Sequence, residues 1–304
     1  MSSNITNATV AGFGLPPLET THKLHRVLAS ALGQKSPTTA AETSPSPWDA
    51  AFFGLTQVPL FQTATATEQA HILQLAGQAL LTESYFIEKA GVGYMAKMTL
   101  LAETIEERML YALFSADEAT HLAQLSPFVS QENVVGTTDP FLNLLESLLE
   151  TGDRAVLQFV LQVVLEGWGL SHYRHLSTHC CHPVLAKLFH SFLDAEARHH
   201  GAGVTLFDRA TLSSASRSTI VEALAAFLQM VRVGPQRLVD AIAVVKDDLS
   251  RSQRIQLLAE LDTEAHSGQR LGVLRSLISP VAPDIAETLD KQNLFSPLSP
   301  AQCV

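Results

Sequence analysis

Two Glu-x-x-His pairs, Glu118/His121 and Glu196/His199, stand 78 residues apart in this chain, and each is preceded at a distance of 30 residues by a single glutamate, Glu88 or Glu166. On an α-helix, residues three apart occupy neighbouring positions of one face, so each pair can offer an oxygen and a nitrogen to the same metal. A separation of 30 residues lets a helix run on, turn and return antiparallel to the same depth. Two lone glutamates and two pairs then meet at one level, which demands four long helices side by side. The surroundings repeat with the same offset: Gly91 falls on Gly169, Phe114 on Phe192 and Tyr111 on Phe189. Two further matches, Glu19/His22 and Glu68/His71, have no partner glutamate at that spacing and read as chance.

Apolar periodicity agrees with helices throughout. The spacing predicts a first long helix over 67–97 with Thr67 as its N-cap, and a second over 101–125 ended by Pro127. A third is expected over 139–175 with a break near Gly152, and a fourth from Pro183 to about Phe207. The polar stretch 130–138, with Gly136, reads as a connection. Three or four amphipathic segments follow, for example over 218–231, 235–248 and 252–274. Residues 1–48 are rich in Ser, Thr, Pro and Ala, with one amphipathic stretch over 18–32, and read as a loosely ordered leader. No alternating strand pattern occurs. The expectation is an all-α protein divided into a partly ordered leader (1–66), a helical bundle carrying the pairs (67–207) and a helical extension packed on it (208–304).

Glu166 ends the apolar run 155–165, so its carboxylate is expected to be buried, which is costly unless it is paired or binds metal. The formal charge of -10 and the lack of a Lys/Arg cluster argue against nucleic acid or an anionic membrane as partner. No apolar segment is long enough to span a bilayer. The three cysteines, Cys180, Cys181 and Cys303, form no C-x-x-C pair, so a thiolate metal site is not expected and a reducing, cytoplasmic setting fits.

One glutamate from each of two helices plus Glu-x-x-His from each of two others resembles the ferritin-like di-iron carboxylate superfamily, over roughly residues 68–207. The resemblance implies a ferritin-like four-helix bundle with additional C-terminal helices. It assigns Glu88, Glu118 and His121 to one metal and Glu166, Glu196 and His199 to the other, with Glu118 and Glu196 bridging. Mixed oxygen and imidazole ligation suits two iron ions, with a manganese–iron pair as the variant. Glu83 is the rival to Glu88 as first ligand, and the repeat favours Glu88. Ferritin-type storage sites generally lack the second histidine, so the resemblance points to dioxygen as co-substrate. Gly169 stands where rubrerythrin-like proteins carry an extra glutamate, Leu125 where ribonucleotide reductase subunits typically carry a tyrosine, and Phe192 where the N-oxygenases carry a third histidine. The implied function is a di-iron oxidase or oxygenase acting on a small or carrier-tethered organic substrate, with an external electron donor and a homodimer both allowed; the alternative is a ferroxidase without organic substrate.

Around the ligands, Gly91 and Gly169 could leave space beside the metals or allow close helix packing. Tyr111 and Tyr173 could line a pocket or pack in the core, and Asp117 and Asp194 could orient histidines or be solvated. His172, His175 and His179 share a helical stripe that is expected to face away from the cluster.

Overall fold

A computed structural model describes residues 9–19, 21–33, 46–130 and 139–304; most of the expected connection at 130–138 and part of the expected leader lie outside these. The regular structure of the described residues is helical, and none of them is in a strand. After an isolated helix α1 (Leu24–Ala31), the chain forms α2 (Ala66–Leu101) and α3 (Ile105–Leu125), joined by a tight link, and then α4 (Pro140–Thr151). A single α-turn (Arg154–Val156) leads into a π-helical segment (Leu157–Leu165) that runs without interruption into α5 (Glu166–His179). Helix α6 (Pro183–Leu206) returns alongside α5. The extension comprises α7 (Ser214–Arg232), α8 (Gln236–Val245), α9 (Arg251–Glu260), α10 (Thr263–Ile278) and α11 (Pro283–Lys291).

Local chemistry sets the boundaries. Helix α2 begins two residues earlier than Thr67 would give, because Thr65 forms a reciprocal capping box with Glu68: the Glu68 amide donates to the Thr65 hydroxyl and the Thr65 amide to the Glu68 carboxylate. That cap, with an ion pair to Lys246 at 2.7 Å, accounts for Glu68 without a metal. Asp139 caps α4 ahead of Pro140, and Pro183 opens α6. The expected single helix over 252–274 is two, because Asp262 takes a left-handed conformation (φ 47°) that aspartate tolerates better than most residues.

Helix α2 packs along α3, α5 along α6, and α3 against α6. The largest apolar core joins these helices to α4, α7, α10 and α11, while α8 and α9 form a second core with the N-terminal part of α2. Parts of the expected leader are packed rather than loose. Ala11 and Phe13 enter the main core, and Trp48 is fully buried, its indole N–H donating to the carbonyl of Leu176 at 3.1 Å. No helix among the described residues is long and apolar enough to cross a membrane.

Candidate metal centre

Glu88 lies thirteen residues before the end of α2 and Glu118 thirteen after the start of α3; Glu166 lies thirteen before the end of α5 and Glu196 thirteen after the start of α6. At 1.5 Å per residue, each glutamate stands about 20 Å from its own hairpin turn, so the two hairpins deliver their carboxylates to a common level. Six side chains converge there. Ligand atoms of Glu88, Glu118, His121 and Glu196 lie within 4.8 Å of one another, as do those of Glu118, Glu166, Glu196 and His199. Glu118 and Glu196 belong to both groups, which gives two adjacent positions for a cation with two carboxylates between them.

The histidines cross between the halves. His121 Nδ1 lies 3.0 Å from Glu88 and 3.7 Å from Glu196; His199 Nδ1 lies 3.0 Å from Glu118 and 3.7 Å from Glu166. Phe192 stacks on His121 with centroids 4.0 Å apart, and its counterpart Phe114 lies 4.4 Å from His199. Each ring thus fixes the imidazole of the opposite pair, a reason for the aromatic position four residues ahead of each Glu-x-x-His glutamate.

Glu88, Glu118, Glu196 and His199 are at most 4% exposed, and no lysine or arginine among the described residues pairs with any carboxylate of the cluster. Glu166 is less buried than the apolar run before it suggests, its side chain keeping 14% exposure because it faces a cavity. Burial first, then neighbouring carboxylates, raises the Glu118 and Glu196 carboxyls well above the usual range. Burial also opposes ionisation of Glu166, but a hydrogen bond from Glu196 and the nearby His199 outweigh it and hold Glu166 low. Burial pulls His199 down, yet Glu118 and Glu166 overcome this and lift it to about 10. In the metal-free protein, protons therefore perform the neutralisation that cations would. Both nitrogens of His199 are sealed from solvent without a properly directed hydrogen bond. Four carboxylates carrying four negative charges, two imidazoles and no ammonium or guanidinium constitute a donor set that fits two divalent ions.

Other candidate residues divide clearly. The Tyr173 hydroxyl donates to Glu88, while its ring stacks on Phe189, so it packs in the core and orients a ligand at once. Asp117 lies 3.5 Å from His199 Nε2 and pairs with Arg198. Asp194 is exposed, being two residues from Glu196 and so on the far side of α6. Glu83 is engaged by Arg237, which also binds Asp139 at 2.5 Å, and it belongs to neither ligand group. Gly91 is required by its neighbour: a Cβ there would lie 2.8 Å from Glu118 Cδ. At Gly169 the corresponding contact, with Glu196, would be an ordinary 3.6 Å. His175 and His179 pack on Phe52, and no metal-ligand group outside the cluster occurs among the described residues.

A cavity of about 220 Å³ adjoins the cluster. Glu88, Glu118, Glu166 and Glu196 form its polar side, and its walls are largely apolar, including Ile87, Leu161, Trp168 and Phe227. His172 lines it as well, although its offset from Glu166 suggests the opposite direction: the cavity wraps around the flank of α5 towards α10. A buried polar trio, of which only Tyr111 was a candidate from the sequence, lies alongside. The hydroxyls of Tyr94 and Tyr111 each donate to Gln162 Oε1 at 3.0 Å. Tyr111 thus joins a hydrogen-bonded network one layer away from the ligands. Gln162 sits in the π-helical segment, a conformation frequent at functional sites.

Compared with known proteins, the chain matches no family model, and no curated protein or solved structure shows significant similarity to it.

Proposed function

We propose that this chain is a ferritin-like di-iron protein of the oxidase or oxygenase type, which reduces dioxygen at the carboxylate cluster and oxidises an organic molecule held in the adjoining cavity. The observation that carries this reading is the pair of overlapping ligand groups sharing Glu118 and Glu196, buried without a cationic side chain to neutralise them. A bound pair of ferrous ions would supply two electrons to dioxygen and the substrate two more, with an external electron donor returning the pair to the ferrous state.

The chain's own residues supply the rest. Glu88, Glu118, Glu166 and Glu196 neutralise the cations, and His121 and His199 complete the donor set. Tyr173 holds Glu88 by a hydrogen bond, and Phe114 and Phe192 fix the imidazole planes. Burial keeps the Tyr173 hydroxyl protonated, with Glu88 and Glu196 reinforcing it, so that Tyr173 acts as a donor. The apolar walls exclude water and hold the substrate's body against the cluster, which favours an organic substrate over iron storage, where an apolar cavity of this size has no evident use.

Anaerobic loading with ferrous iron, metal analysis and exposure to oxygen test the proposal. Two irons per chain, reduced to one or none in Glu118→Ala, are expected. Undiminished binding in that variant refutes the cluster. Continued mineral accumulation, in place of a single rapid oxygen consumption, would favour the ferroxidase reading.

A further inference from the structure

Every arginine of the segment 208–304 except Arg270 is engaged by a carboxylate or a carbonyl oxygen. Arg270, on α10, lines the cavity beside the cluster, is exposed to solvent, and enters no hydrogen bond or ion pair among the described residues. The carboxylate of Glu83, which lines the same cavity, is already taken by Arg237. His172, also in the wall, has its Nε2 sealed from solvent and unpartnered. Burial, with Arg270 and His175 nearby, lowers His172 to about 4, so it is a neutral imidazole. An exposed, unpaired guanidinium and a neutral imidazole within its electrostatic reach thus border the same cavity.

We propose that Arg270 forms an anion subsite for the substrate's carboxylate, with His172 as a neutral neighbour in the wall, so that the substrate is an amphipathic acid whose apolar body reaches from this subsite to the cluster. The guanidinium fork matches a carboxylate in geometry and in its single charge. A phosphate monoester would bring a second negative charge for which the cavity offers no further free cation, since His172 is neutral. His172 lies six residues beyond Glu166, hence about 9 Å along α5 at 1.5 Å per residue. A medium-length chain anchored at the subsite therefore places its distal carbons at the carboxylates. Such an arrangement selects by the charged end and oxidises far from it. The subsite stands on the cavity alone, while its role as substrate anchor rests on the di-iron reading.

The test compares octanoate, 1-octanol and octyl phosphate by calorimetric titration of the full chain, with and without anaerobically loaded ferrous iron. Quenching of Trp168, a wall residue, serves as a local readout. Octanoate is expected to bind about tenfold more tightly than octanol, corresponding to one charge-assisted pair. Arg270→Gln removes this preference, Arg270→Lys restores part of it, and both leave iron stoichiometry unchanged. Equal affinity for octanoate and octanol, no binding of any probe, tighter binding of octyl phosphate, or an undiminished preference in Arg270→Gln overturns the subsite. Octanoate selectivity in a chain that binds no iron overturns the metal reading alone, and two bound irons without selectivity overturn the subsite alone.

Discussion

The 78-residue repeat places glycine at two equivalent positions, and the structure gives them opposite sensitivities. A Cβ at Gly91 would press hardest on Glu118 Oε2 and lie 2.8 Å from its Cδ and 3.1 Å from its Cγ, whereas comfortable carbon contacts begin near 3.5 Å, so the carboxylate must move by at least about 0.7 Å. Glu118 belongs to both ligand groups, so the displacement disturbs both cation positions. Gly91→Ala should lower ferrous affinity by about 10–100-fold, the usual effect of disturbing a ligand's support. In the metal-free protein the overpacking costs about 1–3 kcal/mol, partly offset by the gain of about 0.5–1 kcal/mol from replacing a helical glycine. Gly169→Ala meets Glu196 Oε2 at 3.6 Å, so only the gain remains. It should raise the melting temperature by about 2 °C, as expected for that gain in a chain of this size, with iron binding unchanged. Anaerobic ferrous titration and metal-free thermal melts of both variants decide the matter. Wild-type iron affinity in Gly91→Ala, or equal losses in the two variants, would refute the assignment of Gly91 as the space for Glu118.

Three further outcomes follow from the same geometry. Glu118 and Glu196 in the folded state titrate above their ordinary value of 4.5, and His199 rises from 6.5 to about 10. Stability from raised groups is complete below their unfolded values and is lost as pH rises through the folded ones. The metal-free protein should therefore melt at progressively lower temperature between about pH 5 and pH 9, and a flat profile there contradicts this protonation pattern. Iron loading should flatten the decline and release protons into weak buffer, measurable with a pH indicator. Glu83→Gln should retain two irons per chain, since Arg237 already occupies that carboxylate, while Glu88→Gln loses at least one; the reverse result exchanges their roles. Tyr173→Phe should lower ferrous affinity by about tenfold by freeing Glu88, and destabilise the chain by about 1–2 kcal/mol, so unchanged iron titration would argue that the hydroxyl does not position its ligand.

What the sequence disclosed and what it hid follow from the range over which each feature is encoded. Glu118/His121 and Glu196/His199 are spaced by the helix turn itself, and the 30-residue distances to Glu88 and Glu166 by two helix arms of thirteen residues around a short link, so all six positions were readable in one dimension. The repeat favoured Glu88 over Glu83, but what engages Glu83 was not legible, because its partner Arg237 lies more than 150 residues away. The apolar run before Glu166 announced burial but not its hydrogen-bonding class: a run apolar on every side has no face from which a wider turn can be told. Tyr94, Tyr111 and Gln162, which meet inside the protein, come from three helices with no shared spacing. Asp117 and Asp194 looked equivalent in sequence, yet only Asp117 approaches a histidine, because it precedes Glu118 by one residue whereas Asp194 precedes Glu196 by two. The cavity was the least accessible feature, since Phe227 and Arg270 reach it only through the packing of the C-terminal helices. The clustered glutamates and histidines repeat with the two hairpins, whereas the residues that line the cavity come partly from the unrepeated extension. The two hairpins can therefore keep their symmetry at the cluster while the extension walls the cavity beside it.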